Sequence, residues 1–135
     1  PTGMKLDFNN ITKAILDLSP DTEAIYVFGS YADSRYRPDS DVDIAILANE
    51  LQPKKMWDLK GDISRKVNKD VDLVSLNNVG RVLQYEILWK GIRIYEKDAE
   101  SIAMKEMRIL SLCNEYLEQT QELAEEIVRS EKVYG

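Results

Sequence analysis

The sequence predicts an α/β (α+β) fold: a small mixed sheet of about four strands, flanked by helices and followed by a long C-terminal helix. Three observations lead there. The chain has 135 residues, room for one domain of ordinary size. Over roughly its first two-thirds, short β-rich apolar runs alternate with stretches of helical period. Residues 97–134 then hold no proline or glycine, and their apolar side chains recur at helical spacing.

Each element has its own signal. Phe8, Ile11, Ile15 and Leu18 recur at helical spacing with Ala14 beside them, so residues 8–18 read as an amphipathic helix with Asp7 as its N-cap. Ser19-Pro20-Asp21 stops it. Ala24 to Phe28 is a short apolar run, read as a buried strand. Asp41 to Leu47 alternates acidic with apolar and then turns apolar throughout, a second strand. Pro53 suits the first turn of a helix whose stripe is Met56, Leu59, Ile63 and Val67. Val71 to Leu76 is a third strand with Asp72 inside it. Val79 to Lys90 reads as a helix with Val82, Leu83 and Ile87 inward and Gly91 as its stop. Ile92 to Tyr95 is a short edge strand. In the long terminal helix Ile102, Ile109, Cys113, Tyr116, Leu123 and Ile127 fall near one face, and Met104, Met107, Leu110, Leu117 and Val128 widen it. That stripe either packs back on the sheet or, in part, meets a partner, being wider than so small a sheet can cover. Trp57 and Trp89 are expected as core or interface anchors. The division that follows is a domain over residues 4–96 and a helical extension over 97–135. Pro1-Thr2-Gly3 ahead of Met4 reads as a cloning remnant.

Composition removes whole classes of chemistry. There is no histidine, which rules out Ser-His-Asp triads, Cys-His pairs and HExxH zinc sites. The single cysteine, Cys113, allows no internal disulfide and no CxxC ligand pair, and a lone thiol fits a reducing cytoplasm. No apolar run approaches the roughly 20 residues of a membrane span, and none near Met4 resembles a secretory signal. The net charge of −6 disfavours direct, sequence-independent binding of nucleic acid, which rests on lysine and arginine neutralising phosphates. What remains is chemistry by carboxylates, hydroxyls, amines, backbone groups or a hard metal ion.

The informative stretch is Phe28-Gly29-Ser30-Tyr31-Ala32 followed by Ser40-Asp41-Val42-Asp43. Asp41 and Asp43, two apart on a predicted strand, share one face. Paired carboxylates repel, and a folded chain tolerates them best with a cation between them. Oxygen ligands without histidine or thiolate select a hard ion, Mg²⁺ or Mn²⁺. Asp72 holds a similar place on the next strand, and an aspartate flanked by Val71, Leu73 and Val74 needs a partner. Three carboxylates are the protein share of a two-metal phosphoryl-transfer site. Gly29-Ser30 supplies the complement: glycine lets backbone approach a phosphate, the start of a short helix offers N–H groups, and the Ser30 hydroxyl adds a donor. A lone Gly-Ser is common in turns, and a lone Asp-x-Asp is often the polar face of an edge strand. The two set ten residues apart, each against a strand, are far more specific.

Gly29-Ser30, ten residues, then Asp41-Val42-Asp43 resembles the signature of the DNA polymerase β-like nucleotidyltransferases, over about residues 8–96. The short chain resembles the minimal nucleotidyltransferase (MNT) branch. The single long helix after the core is similar to that of MntA-type antitoxins in HEPN–MNT toxin–antitoxin pairs. The resemblance implies a polymerase β-like core and an Mg²⁺-dependent protein adenylyltransferase, transferring AMP from ATP to a tyrosine hydroxyl of a HEPN ribonuclease toxin with release of pyrophosphate. It implies that Asp41 and Asp43 hold two Mg²⁺ ions, that Asp72 binds the catalytic ion and helps deprotonate the acceptor, and that Gly29 and Ser30 hold the triphosphate. Relatives often carry a basic residue and a glycine where Asp33 and Ser34 stand, a change expected to weaken phosphate binding unless Arg35 or Arg37 swings in. Tyr31 is read either as a stacking surface for adenine or a partner, or as an exposed loop residue. Two other functions compete: an antitoxin that neutralises its partner by steric binding alone, and a nucleotidyltransferase acting on RNA or a small molecule.

Overall fold

The computed structural model describes residues 6–33, 37 and 39–134, with side chains placed as far as Arg129. Helix α1 spans Phe8–Leu18 and starts where the Asp7 carboxylate accepts hydrogen bonds from the backbone N–H of Asn9 and Asn10. Strand β1 is Ala24–Phe28 and β2 is Val42–Leu47. Helix α2, Pro53–Val67, has proline in its first turn and ends on Asn68 in the left-handed conformation. Strand β3 is Val71–Ser75, α3 is Arg81–Lys90, β4 is Ile92–Glu96, and α4 is Ala99–Tyr134.

The strands form one mixed sheet in the order β3-β2-β1-β4. β1 is antiparallel to both β2 and β4, while β2 and β3 are parallel and joined through α2. The period of two along each strand divides the core. Ile25, Val27, Val42, Ile44, Ile46 and Val71 face one way, against Ile11, Ala14 and Ile15 of α1 and Leu59 and Ile63 of α2. Ala24, Tyr26, Phe28, Ala45 and Leu47 face the other, against Ile87 of α3 and Ile102, Ile109 and Cys113 of α4. Polar contacts tie α4 down as well. Glu106 accepts from the Tyr26 hydroxyl at 2.6 Å and from Arg93 at 2.7 Å, and Lys105 pairs with Glu23 at 2.6 Å. Burial and Glu106 together push the Tyr26 phenol above its ordinary value.

Several expectations need correction. α3 begins at Arg81, and Val82 lies exposed while Gln84 is buried. Gln84 takes the inward place because its amide is satisfied at both ends, donating to the Leu76 carbonyl at 2.8 Å and accepting from Arg81 at 2.8 Å. Gly91 stops α3 without a left-handed turn: a side chain there would collide with the Ile87 carbonyl and press on that of Val27. Trp57 and Trp89 are 75% and 68% exposed, so neither anchors the core; Trp89 stacks on Tyr85. The terminal stripe divides: it is buried at Ile102, Ile109 and Cys113 and open at Tyr116, Leu123 and Ile127, while Met104 and Met107, expected to widen it, are 69% and 70% exposed.

Candidate active site

The register of the sheet settles which carboxylates meet. Asp43, the second residue of β2, pairs with Phe28 at the end of β1 and with Asp72, the second residue of β3. Asp43 and Asp72 lie side by side on neighbouring parallel strands, whose spacing is about 4.8 Å. Both point to the face that carries Phe28, Ala45 and α3, since the alternate residues Val42, Ile44 and Val71 fill the other face. Asp41 stands one residue ahead of β2 with the same parity as Asp43, and it is exposed.

The electrostatics record this gathering. Burial first, and then the negative charges of Asp72 and Asp41, together push the Asp43 carboxyl up to about 6. A hydrogen bond between the Asp43 and Asp72 side chains, which only a protonated carboxyl can donate, acts in the same direction, as does the charge of Glu86. Glu86 is an exposed residue of α3 whose influence on Asp43 the sequence did not announce. It comes near only because α3 folds back over the strands, and no local spacing encodes that.

Gly29 forms the opposite wall. The chain leaves β1 through a single 3₁₀ turn, Gly29–Tyr31, which places Gly29 at φ +70°, the left-handed region that favours glycine. A Cβ at Gly29 would collide with the Asp43 carboxylate. The glycine is therefore required twice, for its backbone conformation and for its contact with the acidic group. Ser30 follows at once and is half-buried. Tyr31 is not a loop residue open to adenine: it is 7% exposed, belongs to the α1/α2 side of the core, and lies under the Lys69 ammonium at 5.9 Å. Asp33 and Arg37 are exposed, whereas Ser34, Arg35 and Pro38 lie outside the described residues.

The donor set fits a hard divalent cation. Asp43 carries a charge that its neighbours make costly, and a positive ion between it and Asp41 and Asp72 would relieve that cost. Among the described residues no three acidic or cysteine side chains form a ready-made cage. Magnesium keeps waters and phosphate oxygens in its shell and takes only one or two carboxylates, so it does not require such a cage. Among the described residues, too, no helix is long and apolar enough to cross a membrane.

Comparison with known proteins agrees with this geometry. The family model for the polymerase beta nucleotidyltransferase domain matches residues 9–100. The protein adenylyltransferase MntA of Shewanella oneidensis is 34% identical over 104 residues, 75% of each chain. A chain in the crystal structure of a toxin–antitoxin with AMP-PNP superposes with a TM-score of 0.82 at 27% identity, covering 91% of this chain and 99% of that one. A chain in the complex of tri-AMPylated Shewanella oneidensis HEPN toxin with MNT antitoxin gives a TM-score of 0.74 at 25% identity, over 90% and 95% of the two chains.

Proposed function

The chain belongs to the polymerase β nucleotidyltransferase family, and from that premise we propose that it is an antitoxin-type protein adenylyltransferase. It moves AMP from ATP onto a tyrosine hydroxyl of a HEPN ribonuclease partner and releases pyrophosphate. The observation that carries this reading is Asp43, its carboxyl raised by burial and by two facing aspartates, set directly against Gly29. Similarity to a protein adenylyltransferase, and to a chain in complex with a tri-AMPylated HEPN toxin, supports the class of acceptor.

Asp41, Asp43 and Asp72 would hold two Mg²⁺ ions, which when bound supply Lewis-acid stabilisation to the attacking and leaving oxygens. The chain's own residues do the rest. Gly29 and Ser30 hold the triphosphate by backbone N–H groups and a hydroxyl, fixing the α-phosphorus in front of Asp43. The acceptor oxygen attacks that phosphorus, the bond to the β-phosphate bridging oxygen breaks, and pyrophosphate departs. The phenol has an ordinary pKa near 10, and Asp72 takes its proton as the new bond forms. Residues 4–96 are the catalytic domain and 97–135 the extension, which packs on the core at its start. An ATP substrate and a lone buried thiol, Cys113, support a cytoplasmic setting.

One observation favours a second reading: the uncovered half of α4 offers a surface for neutralising a partner by steric binding alone. Label transfer from α-labelled ATP to the co-expressed partner separates the two. Adenylylation predicts Mg²⁺-dependent labelling that Asp41→Asn and Asp43→Asn abolish, with loss of neutralisation in the double variant. Full labelling by both variants refutes the assignment, and a double variant that still neutralises supports blockade.

A further inference from the structure

The seam of α4 continues past the end of the core. Ile102, Glu106, Ile109 and Cys113 follow one another in steps of four, three and four residues and face the domain. Tyr116, Thr120, Leu123 and Ile127 extend the same four-three alternation, the period that keeps one line of a helix turned towards a neighbour. Yet Tyr116 is 44% exposed, Leu123 57% and Ile127 51%. Val128 and Ala124 broaden the line into a shallow apolar groove beside it. From Tyr116 to Ile127 this strip runs about 17 Å, at 1.5 Å per residue. A solvated helix of such length gains little from propensity alone and takes its stability from a second surface.

The charges beside the seam narrow what that surface is. Between Asn114 and Arg129 stand Glu115, Glu118, Glu122, Glu125 and Glu126, and Arg129 is the one cation. A second copy of the chain would bring glutamates against glutamates, which disfavours self-pairing. A ribonuclease must present lysine and arginine to hold RNA, so its surface has the complementary sign.

We propose that the uncovered half of α4 is the docking strip for a helical partner protein whose own apolar groove is flanked by lysine and arginine. The inference rests on the reading above only for the identity of the partner, and it places docking on α4, apart from the catalytic aspartates.

The test uses the full chain and, as probe, its cognate HEPN-type toxin, with Kd measured at 50 and 500 mM salt. Leu123→Glu/Ile127→Glu weakens binding by about a hundredfold or more, and the uncharged Leu123→Ala/Ile127→Ala by about tenfold. Glu122→Lys/Glu125→Lys/Glu126→Lys weakens it by about tenfold at 50 mM salt, and the difference shrinks at 500 mM. Circular dichroism should show all three variants folded, since every site is on an exposed surface. Seam variants that bind as tightly as wild type overturn the proposal. So does a wild-type chain that does not bind the probe, or one that sediments alone as a dimer which the seam variants dissociate. A partner that is bound through the seam but never gains AMP refutes the adenylyl transfer and leaves the docking strip standing. A partner that gains AMP equally from the seam variants does the reverse.

Discussion

The acidic end of the sheet and the free half of α4 are costly to the isolated chain in opposite ways. At the sheet end, charge is held among other charges: Asp43 is pushed up to about 6 by burial, Asp72 and Asp41. Along α4, apolar surface is left in water with no element among the described residues to cover it. A hydrophobic core and a complete set of ion pairs would have removed both costs. On the proposed reading both mark where the chain takes something from outside: a cation with phosphate at one region, a protein surface at the other. The lesson is that each ligand can be read from the sign of what is missing.

The contrast can be broken in decreasing order of effect. Asp43→Asn should lower adenylyl transfer by about a thousandfold, near 4 kcal/mol of transition-state stabilisation, as read by label transfer from α-labelled ATP. Activity within threefold of wild type would remove Asp43 from the chemistry. On the helix, Ile109→Ala should cost about 2–4 kcal/mol of stability in denaturant titration, because Ile109 is 9% exposed and packed on the sheet. Leu123→Ala, one face of the same helix further on, should cost within about 0.5 kcal/mol in the isolated chain. Equal losses would mean that the free half of α4 is covered in solution. Gly29→Ala sits between, at about 1–3 kcal/mol, from a left-handed backbone and a collision with Asp43.

The pH dependence of stability is diagnostic because its sign is unusual. Asp43 binds its proton more tightly folded than unfolded, so the folded state holds more protons between the unfolded value of 3.8 and about 6. Stability of the metal-free chain should therefore fall as pH rises through that window. Asp43→Asn should be more stable than wild type by about 1–2 kcal/mol at pH 8, and the advantage should vanish below pH 4. An Asn variant less stable than wild type at pH 8 would show that the carboxylate is already compensated.

Much of the fold was legible because local signals agreed with the tertiary result. Asp7 capped α1 as its side chain foretold, β1 ran from Ala24 to Phe28, and Pro53 opened α2. The period of two read from the sequence set Asp41 and Asp43 on one side, and β2 itself begins at Val42, with Asp41 just ahead of it. That Asp72 meets Asp43 depended on parallel pairing in register, which no local pattern fixes, though the like positions of the two residues in their strands hinted at it. Where reading failed, a non-local partner decided. Val82 looked apolar and inward, but Leu76 and Arg81 offered the Gln84 amide a hydrogen-bond partner at each end. Tyr31 looked like a loop tyrosine, but the turn at Gly29 drives it into the core. Glu86 had no signal at all. On α4 the apolar spacing was plain throughout, and only the size of the sheet determined where cover ends.

The most direct measurement is proton release when magnesium–ATP binds at pH 6, taken by calorimetry in buffers of different ionisation enthalpy. If a cation shared with Asp41 and Asp72 restores the Asp43 charge, binding should release roughly half a proton at pH 6 and almost none at pH 8, and Asp43→Asn should release none. Equal release by wild type and Asp43→Asn, or ATP binding of the same strength without magnesium, would contradict a metal-bridged aspartate cluster.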